Sequence, residues 1–233
     1  MSSCAVMQPT YLPWAGYFHL IASVDQFVLL DDVQFERSSW QHRNKILLNG
    51  AEHMISIPTK KRSLSDALLQ RMEICTVQNF RVQHWKMLEH AYRKARHGAE
   101  ALQLVQNSYL TDTSDKLVNF TGHLIQILCN ALAITTPIVY ASALNCAGHR
   151  SDHVAHICRR VGCDSYFSPQ GAAAYLEEDD FAQKHGIRLQ LQDFKPRPYP
   201  QYQSEAFVSH LSMLDVIANI GIEGARQYIG DHP

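Results

Sequence analysis

Cys4-Ala5-Val6-Met7-Gln8-Pro9-Thr10-Tyr11-Leu12-Pro13-Trp14-Ala15-Gly16-Tyr17-Phe18 decides how the rest of the chain reads. Cys4 to Met7 is a short apolar run of the kind a buried strand uses, and Pro9 and Pro13 keep a helix from starting before Gly16. Beyond that point Tyr17, Leu20, Ile21 and Val24 recur at the i, i+3, i+4, i+7 spacing of one helix face, and Phe27 to Leu30 is a second apolar run. Strand, helix, strand in this order is a βαβ opening, which predicts a mainly parallel sheet of the Rossmann-like kind. In open α/β sheets ligands sit beyond the carboxyl ends of the strands, and here those ends carry Gln8-Pro9-Thr10-Tyr11 and Asp31-Asp32. The chain therefore shows a candidate site before it reaches Phe35.

After the second strand comes the clearest hairpin signal, Asn49-Gly50, within Trp40 to Ile57. A two-residue turn there puts His42, Asn44, Ile46 and Leu48 on one face with Ala51, His53, Ile55 and Ile57, and turns Arg43, Lys45, Glu52 and Ser56 the other way. Arg43 has two readings: a solvated outer charge, or, with Asn44 at the rim, a bidentate grip on a phosphate or carboxylate. Pro58 to Ser65 (PTKKRSLS) reads as a basic solvated loop, or alternatively as a loop closing over phosphate, and Leu68 to Ile74 as a further strand. From Phe80 to about Ala133 the pattern turns helical: Val82, Trp85, Leu88 and Tyr92 form one stripe, residues 100–109 a second helix, and Leu117, Phe120, Leu124, Ile127 and Leu128 a third. Their aromatics fall on the apolar stripe and read as packing rather than as a cofactor box.

The α/β alternation resumes at Pro137 to Tyr140, continues through a helix buried along Val154, Ile157, Cys158 and Val161, and reaches the short strand Ser165-Tyr166-Phe167. His149, His153, His156, Cys158 and Cys163 invite a metal reading. On a regular helix, however, His156 lies at about 200° and Cys158 at about 40° from Val154, so the two cannot share one ion. A solvated histidine pair is expected instead, and no metal site. The strand at Ser165 ends in Ser168-Pro169-Gln170-Gly171, small residues entering a helix, where a ligand can approach the backbone closely. Ser168, Gln170 and Gly171 thus form a second candidate site loop, with a plain tight turn as the alternative. Ile187 to Phe194 reads as an edge strand, Pro196, Pro198 and Pro200 exclude regular structure, and Val208, Leu211, Leu214 and Ile217 make a helical stripe before a short final helix at Ala225 to Ile229.

These elements make an α/β fold in three sections: an N-terminal half with the hairpin (1–79), a helical insertion (80–136) and a C-terminal half completing the same domain (137–233). Of 233 residues, 46% are hydrophobic, which is ordinary for a globular domain. Lysine and arginine number 21 against 22 aspartate and glutamate, a balance that gives no general field for DNA or an anionic membrane. No basic leader, apolar signal segment or apolar run long enough to span a bilayer is present, so a cytoplasmic protein is expected. The six cysteines are scattered without Cys-x-x-Cys spacing and read as reduced core residues.

The ordered segments QPTYLPWAGYF (8–18), DQFVLLDDVQF (25–35), Trp40-Gln41-His42-Arg43-Asn44-Lys45-Ile46, SYFSPQGAAAYL (165–176), Phe194 to Tyr202 and SHLSMLDVIANIG (209–221) resemble the signature of the WbqC-like family over essentially the whole chain. That resemblance implies a place among proteins of O-antigen and other surface-polysaccharide gene clusters, for some of which glycine transfer has been suggested. The opening is also similar to the nucleotidyltransferase and HUP-like superfamily, whose His-x-Gly-His motif holds ATP phosphates. Here the comparable place reads Trp14-Ala15-Gly16-Tyr17, with glycine kept and both histidines absent. ATP with magnesium and a preactivated aminoacyl or acyl donor, including aminoacyl-tRNA, are therefore equally open as cofactor or co-substrate.

The expected activity is a transferase or ligase that attaches an amino acid or acyl group to the amine of an amino-sugar nucleotide. The alternative is a non-catalytic sugar-nucleotide-binding or assembly protein. Asp31 and Asp32 are the candidate base or metal-holding carboxylates, with the plainer reading that they cap the next element. Gln8, Pro9, Tyr11, Trp14, Tyr17, Gln34, Arg43, Asn44, Ser168, Gln170 and Gly171 are the candidate substrate contacts, the aromatics by stacking on a sugar or base.

Overall fold

The computed structural model describes residues 2–61, 63, 67–77 and 79–230. Five parallel strands form one sheet in the order β5-β2-β1-β6-β7, where β1 is Ser3–Met7, β2 Gln26–Leu29, β5 Ile138–Tyr140, β6 Ser165–Ser168 and β7 Arg188–Leu191. This is the Rossmann-like α/β architecture expected from the βαβ opening. Its central strand is β1, with Cys4 to Met7 opposite Gln26 to Leu29 on one side and Cys4 opposite Tyr166 on the other. A central parallel strand is covered on both faces, so its residues are apolar without alternation. Ala5, Phe27 and Leu29 belong to one core, Cys4, Val6 and Val28 to a second.

The first core is closed by α1 (Ala15–Ala22), by the helical layer α2 (Phe80–Tyr92), α3 (Gly98–Leu110) and α4 (Leu117–Ala131), and by the C-terminal helix. All four residues of the stripe that predicts α1 are buried: Tyr17, Leu20, Ile21 and Val24. The second core is closed by the short α5 (Ala141–Leu144), α6 (Arg150–Arg160), α7 (Ala173–Glu178) and α8 (Phe181–His185). Fully burying one such Leu, Ile or Phe side chain stabilises by about 1.5 to 3 kcal/mol, which is why the pattern of apolar residues dictates which helix covers which face. The hairpin β3 (Arg43–Leu48) and β4 (Ala51–Ser56) turns at Asn49-Gly50 in the expected register, with Ile46 opposite His53 and Asn44 opposite Ile55.

Three expectations change. Leu68 to Ile74 is not a strand: Leu69–Arg71 is a single 3₁₀ turn, and its neighbours make isolated bridges with Gln34, Thr59 and Lys116. Leu69, Met72 and Ile74 are all buried in the first core, so apolar spacing here served packing without a ladder. The helical stripe from Val208 to Ile217 begins late. The helix α9 runs Met213–Gly230, because His210 has φ 58° and Ser212 donates its amide to the Lys45 carbonyl, and it is broken at Gly221 with φ 76°. That glycine accommodates the imidazole of His97, which a Cβ would meet at 3.0 Å. The histidines of α6 are not a solvated pair, since His153 is buried and joined to Asp32. Of the basic PTKKRSLS stretch, Lys60 pairs with Glu73 at 2.7 Å, while Arg62, Leu64 and Ser65 lie outside the described residues. All six cysteines are free thiols. No helix among the described residues is long and apolar enough to cross a membrane.

Candidate functional site

From β1 the chain runs through α1 to β2 on one side, whereas β6 lies on the other, so the sheet's topological switch point falls between the carboxyl ends of β1 and β6. A cleft opens there as two adjoining hollows of about 350 and 560 Å³ that share Met7, Thr10, Trp14, Tyr17, Trp40 and His210. The larger hollow reaches Gln8 at the end of β1, Leu30 beyond β2, and Pro169 to Ala172 beyond β6. The smaller is bounded by the hairpin through Asn44, Lys45 and Glu52.

The turn after β1 is held from several directions. The Tyr17 hydroxyl donates to the Gln8 carbonyl at 3.1 Å. Leu12 sits at φ 44°, a left-handed conformation that costs a side-chain-bearing residue about 1 to 3 kcal/mol unless its surroundings fix it. Asn44 does so: its buried amide donates to the Tyr11 and Leu12 carbonyls at 3.0 and 2.6 Å. Met213 donates its amide to Pro13 at 2.7 Å, tying the start of α9 to the same turn. Trp14 then projects over Gly16, packing edge-on to Phe194 at 5.6 Å and against His210 at 4.7 Å between ring centres.

The polar rim is pre-oriented. Gln41 is 1% exposed, receives the Glu36 amide on its oxygen, and donates to the Gln8 Oε1 at 2.9 Å. With Gln8 Oε1 accepting, the Gln8 amide nitrogen is the donor presented to the cleft. Across the larger hollow Gln170 donates to the Gln192 carbonyl at 2.8 Å, which leaves its oxygen as an acceptor. Gln192 is itself buried and donates to Gly16 O and His19 Nδ1 at 2.7 and 2.9 Å. In the smaller hollow Lys45 and Glu52 form a 2.7 Å ion pair.

Gln8, Trp14, Tyr17, Asn44, Gln170 and Gly171 are thus brought together, Asn44 with its donors already used on the turn. The other candidates sit elsewhere. Tyr11 is wholly buried, with its hydroxyl 2.8 Å from His84 Nδ1 and 2.6 Å from Tyr109 Oη. A large aromatic one turn away from Trp14 is drawn into the helical layer, where its hydroxyl finds polar partners; burial lowers the His84 imidazole to about 4 and pushes the Tyr109 phenol up. Pro9 and Ser168 are buried beneath the cleft, Ser168 bonding to the Pro169 carbonyl, and Gln34 is exposed while its carbonyl receives Gln41. Arg43 reaches neither hollow: its guanidinium donates to the Ser38 carbonyl and lies 5.9 Å from the centre of the Trp40 ring. It therefore steadies the loop that carries Trp40, rather than a ligand.

The two carboxylates beyond β2 are bound to protein groups. Asp31 is 3% exposed and accepts the Ser142 amide and hydroxyl at 2.9 and 2.6 Å, joining β2 to α5. Asp32, two residues past Leu30 in the cleft wall, faces His153 Nε2 at 3.1 Å. That contact raises the pKa of the imidazole against the opposing effect of burial. His156 turns instead to the Ala147 carbonyl at 2.6 Å. Among the described residues no group of three or more His, Cys, Asp or Glu side chains is placed to hold a metal ion.

Trp40, Gln41, Gln192, Phe194, His210 and His153 are the candidate site positions that periodicity missed. Trp40-Gln41 is visible as an aromatic-amide pair directly before the hairpin, but nothing local says that it folds back onto Gln8. A family model described as the WbqC-like protein family matches residues 8–227. The Mycobacterium tuberculosis (strain ATCC 25618 / H37Rv) protein named Uncharacterized protein Rv1507c is 29% identical over 224 residues, 96% of this chain and 96% of its own length. No solved structure matches the chain.

Proposed function

We propose, for a chain that belongs to the WbqC-like protein family, that the cleft between β1 and β6 binds an amino-sugar nucleotide and that an amino acid or acyl group is transferred to its amine. Membership suggests a protein associated with polysaccharide gene clusters. The observation that carries the finer reading is the two-chambered cleft at the switch point, with aromatic walls from Trp14, Tyr17 and Trp40 and an amide rim from Gln8 and Gln170. Aromatic faces suit sugar rings and bases, and oriented amides suit hydroxyls and phosphate oxygens. Volumes of about 350 and 560 Å³ fit one small donor group beside one larger acceptor.

Transfer to an amine needs that amine unprotonated, so a base is required. Asp32 with His153 is the pair we assign to it, set behind Leu30: the imidazole holds the Asp32 carboxylate through Nε2, and the carboxylate takes the proton. Asp31, saturated by Ser142, is assigned to holding the end of β2. The donor is ATP-activated or preactivated; in either case an anionic group in the smaller chamber would take Lys45 from its ion pair with Glu52.

A second reading has its own support. Neither aspartate nor His153 is among the residues lining the two hollows, as suits a protein that recognises a sugar nucleotide without reacting it. Incubating purified protein with amino-sugar nucleotides, amino acids, acyl thioesters and ATP, and looking by mass spectrometry for acceptor mass increased by one residue, tests the transferase. Asp32→Asn and His153→Gln are expected to abolish that gain while calorimetric binding persists. Binding without any gain in the wild type selects the recognition protein, and absence of binding to every nucleotide removes both readings.

A further inference from the structure

Between Arg81 and His97 the chain carries five lysine and arginine side chains against one acid, Glu89, in a protein whose net charge is −1. Lys86, His90, Arg93 and Lys94 follow one another at spacings of four, three and one, within about 100° of arc on a helical wheel. Lys86, His90, Arg93, Lys94 and Arg96 are all exposed. Among the described residues no acidic side chain pairs with Lys86, Arg93, Lys94 or Arg96, whereas Arg81, on the same helix, is held by Asp112 at 3.6 Å. Four unneutralised cations on one helix face and the turn after it are a local positive field in an otherwise balanced chain.

The stripe ends at a hollow of about 410 Å³, separate from the cleft, lined by Arg96, His97, Pro200, Tyr202 and Ile220 among others. Its walls combine the Tyr202 ring and apolar Pro200 and Ile220 with the amides of Gln201 and Asn219 and a guanidinium at the rim, groups that stack a base, bond its edge and hold its phosphate. An anionic membrane would meet a flat face with projecting apolar residues, and double-stranded nucleic acid offers no free base for the hollow. We propose that this face docks a single-stranded segment of RNA, phosphates along Lys86, Arg93, Lys94 and Arg96, one base against Tyr202. His90 Nε2 meets Asn49 Oδ1 at 2.9 Å, so the stripe is continuous with the hairpin turn. From Asn49 back to Lys45 in the smaller chamber is four strand residues, about 13 Å. If the transferase reading above holds, this docking favours aminoacyl-RNA over an acyl thioester as donor; the docking itself does not depend on it.

The test uses the full chain and fluorescently labelled, deacylated tRNA and a single-stranded RNA 12-mer, read by anisotropy. Because no acyl group is present, the outcome is separable from that of the transfer assay. Expected is a Kd on the order of 1–10 μM at low salt, with log Kd rising against log salt at a slope of about 3 for four phosphate contacts. K86A/R93A/K94A/R96A should lose at least tenfold in affinity and most of that slope. Y202A should lose affinity with the slope retained. Circular dichroism checks the fold, and R37A/K61A/R71A/R160A removes four exposed cations from other surfaces. No binding at 100 μM protein, equal losses in the two quadruple variants, or tighter binding of duplex DNA, heparin or phosphatidylglycerol vesicles than of RNA would each overturn the proposal.

Discussion

Gly16→Ala isolates the role of Trp14 without touching the ring itself. A Cβ at position 16 would lie 2.2 and 2.3 Å from Cζ2 and Cη2 of Trp14, distances no side chain tolerates, so the indole must swing away from α1. Helix propensity favours alanine over glycine by about 1 kcal/mol inside a helix. Against that stands the loss of the contacts to Phe194 and His210, each worth about 0.5 to 1.5 kcal/mol. The net cost is about 0 to 2 kcal/mol, small enough for the protein to stay folded, because Trp14 is half-buried and its ring can move toward solvent. Ligand affinity should suffer more: losing an aromatic face under a base or sugar costs about 1 to 3 kcal/mol, roughly 5- to 150-fold. Thermal melts, tryptophan emission and calorimetry with amino-sugar nucleotides, run on G16A and W14A together, measure all three. If emission shows a displaced ring while affinity in both variants stays at the wild-type value, Trp14 does not cover the ligand and the cleft assignment fails.

Arg43→Ala is no longer an inert surface change: losing the bond to Ser38 and the contact with Trp40 should cost about 1 to 2 kcal/mol, and affinity should fall through the loosened Trp40 loop. Denaturant titration checks the first and calorimetry the second; a stability loss with full affinity would leave Trp40 without a role. Tyr109→Phe should cost about 1 kcal/mol and leave ligand binding within twofold, since Tyr11 keeps His84 as partner; a large loss of affinity would show that the buried network sets the turn. Asp215 is wholly buried at the start of α9, and burial raises its carboxyl from 3.8 to about 6 despite bonds from Tyr199 and Gln201. A raised acid pKa means the native state binds the proton more tightly, so stability is greatest below about 4 for this group and falls as pH rises through about 6, by about 3 kcal/mol in total. Asp215→Asn should remove that fall, which unfolding curves at pH 4.5 and 7.5 would detect; parallel pH profiles in both proteins would refute it.

What the sequence determined by itself was local and periodic. Tyr17, Leu20, Ile21 and Val24 require a helix with one buried face, uninterrupted apolar runs at Cys4 to Met7 and Phe27 to Leu30 require strands covered on both sides, and Asn49-Gly50 allows only a tight hairpin. Each is a short-range consequence of backbone geometry, and together they placed the cleft at the ends of the strands, with Gln8, Trp14, Tyr17 and Gln170 in it. Tertiary structure decided everything that depends on partners far along the chain. Tyr11 and Trp14, three residues apart in one turn, go to opposite fates because His84 and Tyr109 wait for one hydroxyl and Phe194 and His210 for the other ring. Asp31 and Asp32 are adjacent and chemically identical, yet Ser142 saturates one and His153 meets the other. No spacing rule reports such partners, because a side chain's role is set by what the fold brings within about 3 Å of it, and here those groups come from as far as 176 residues away.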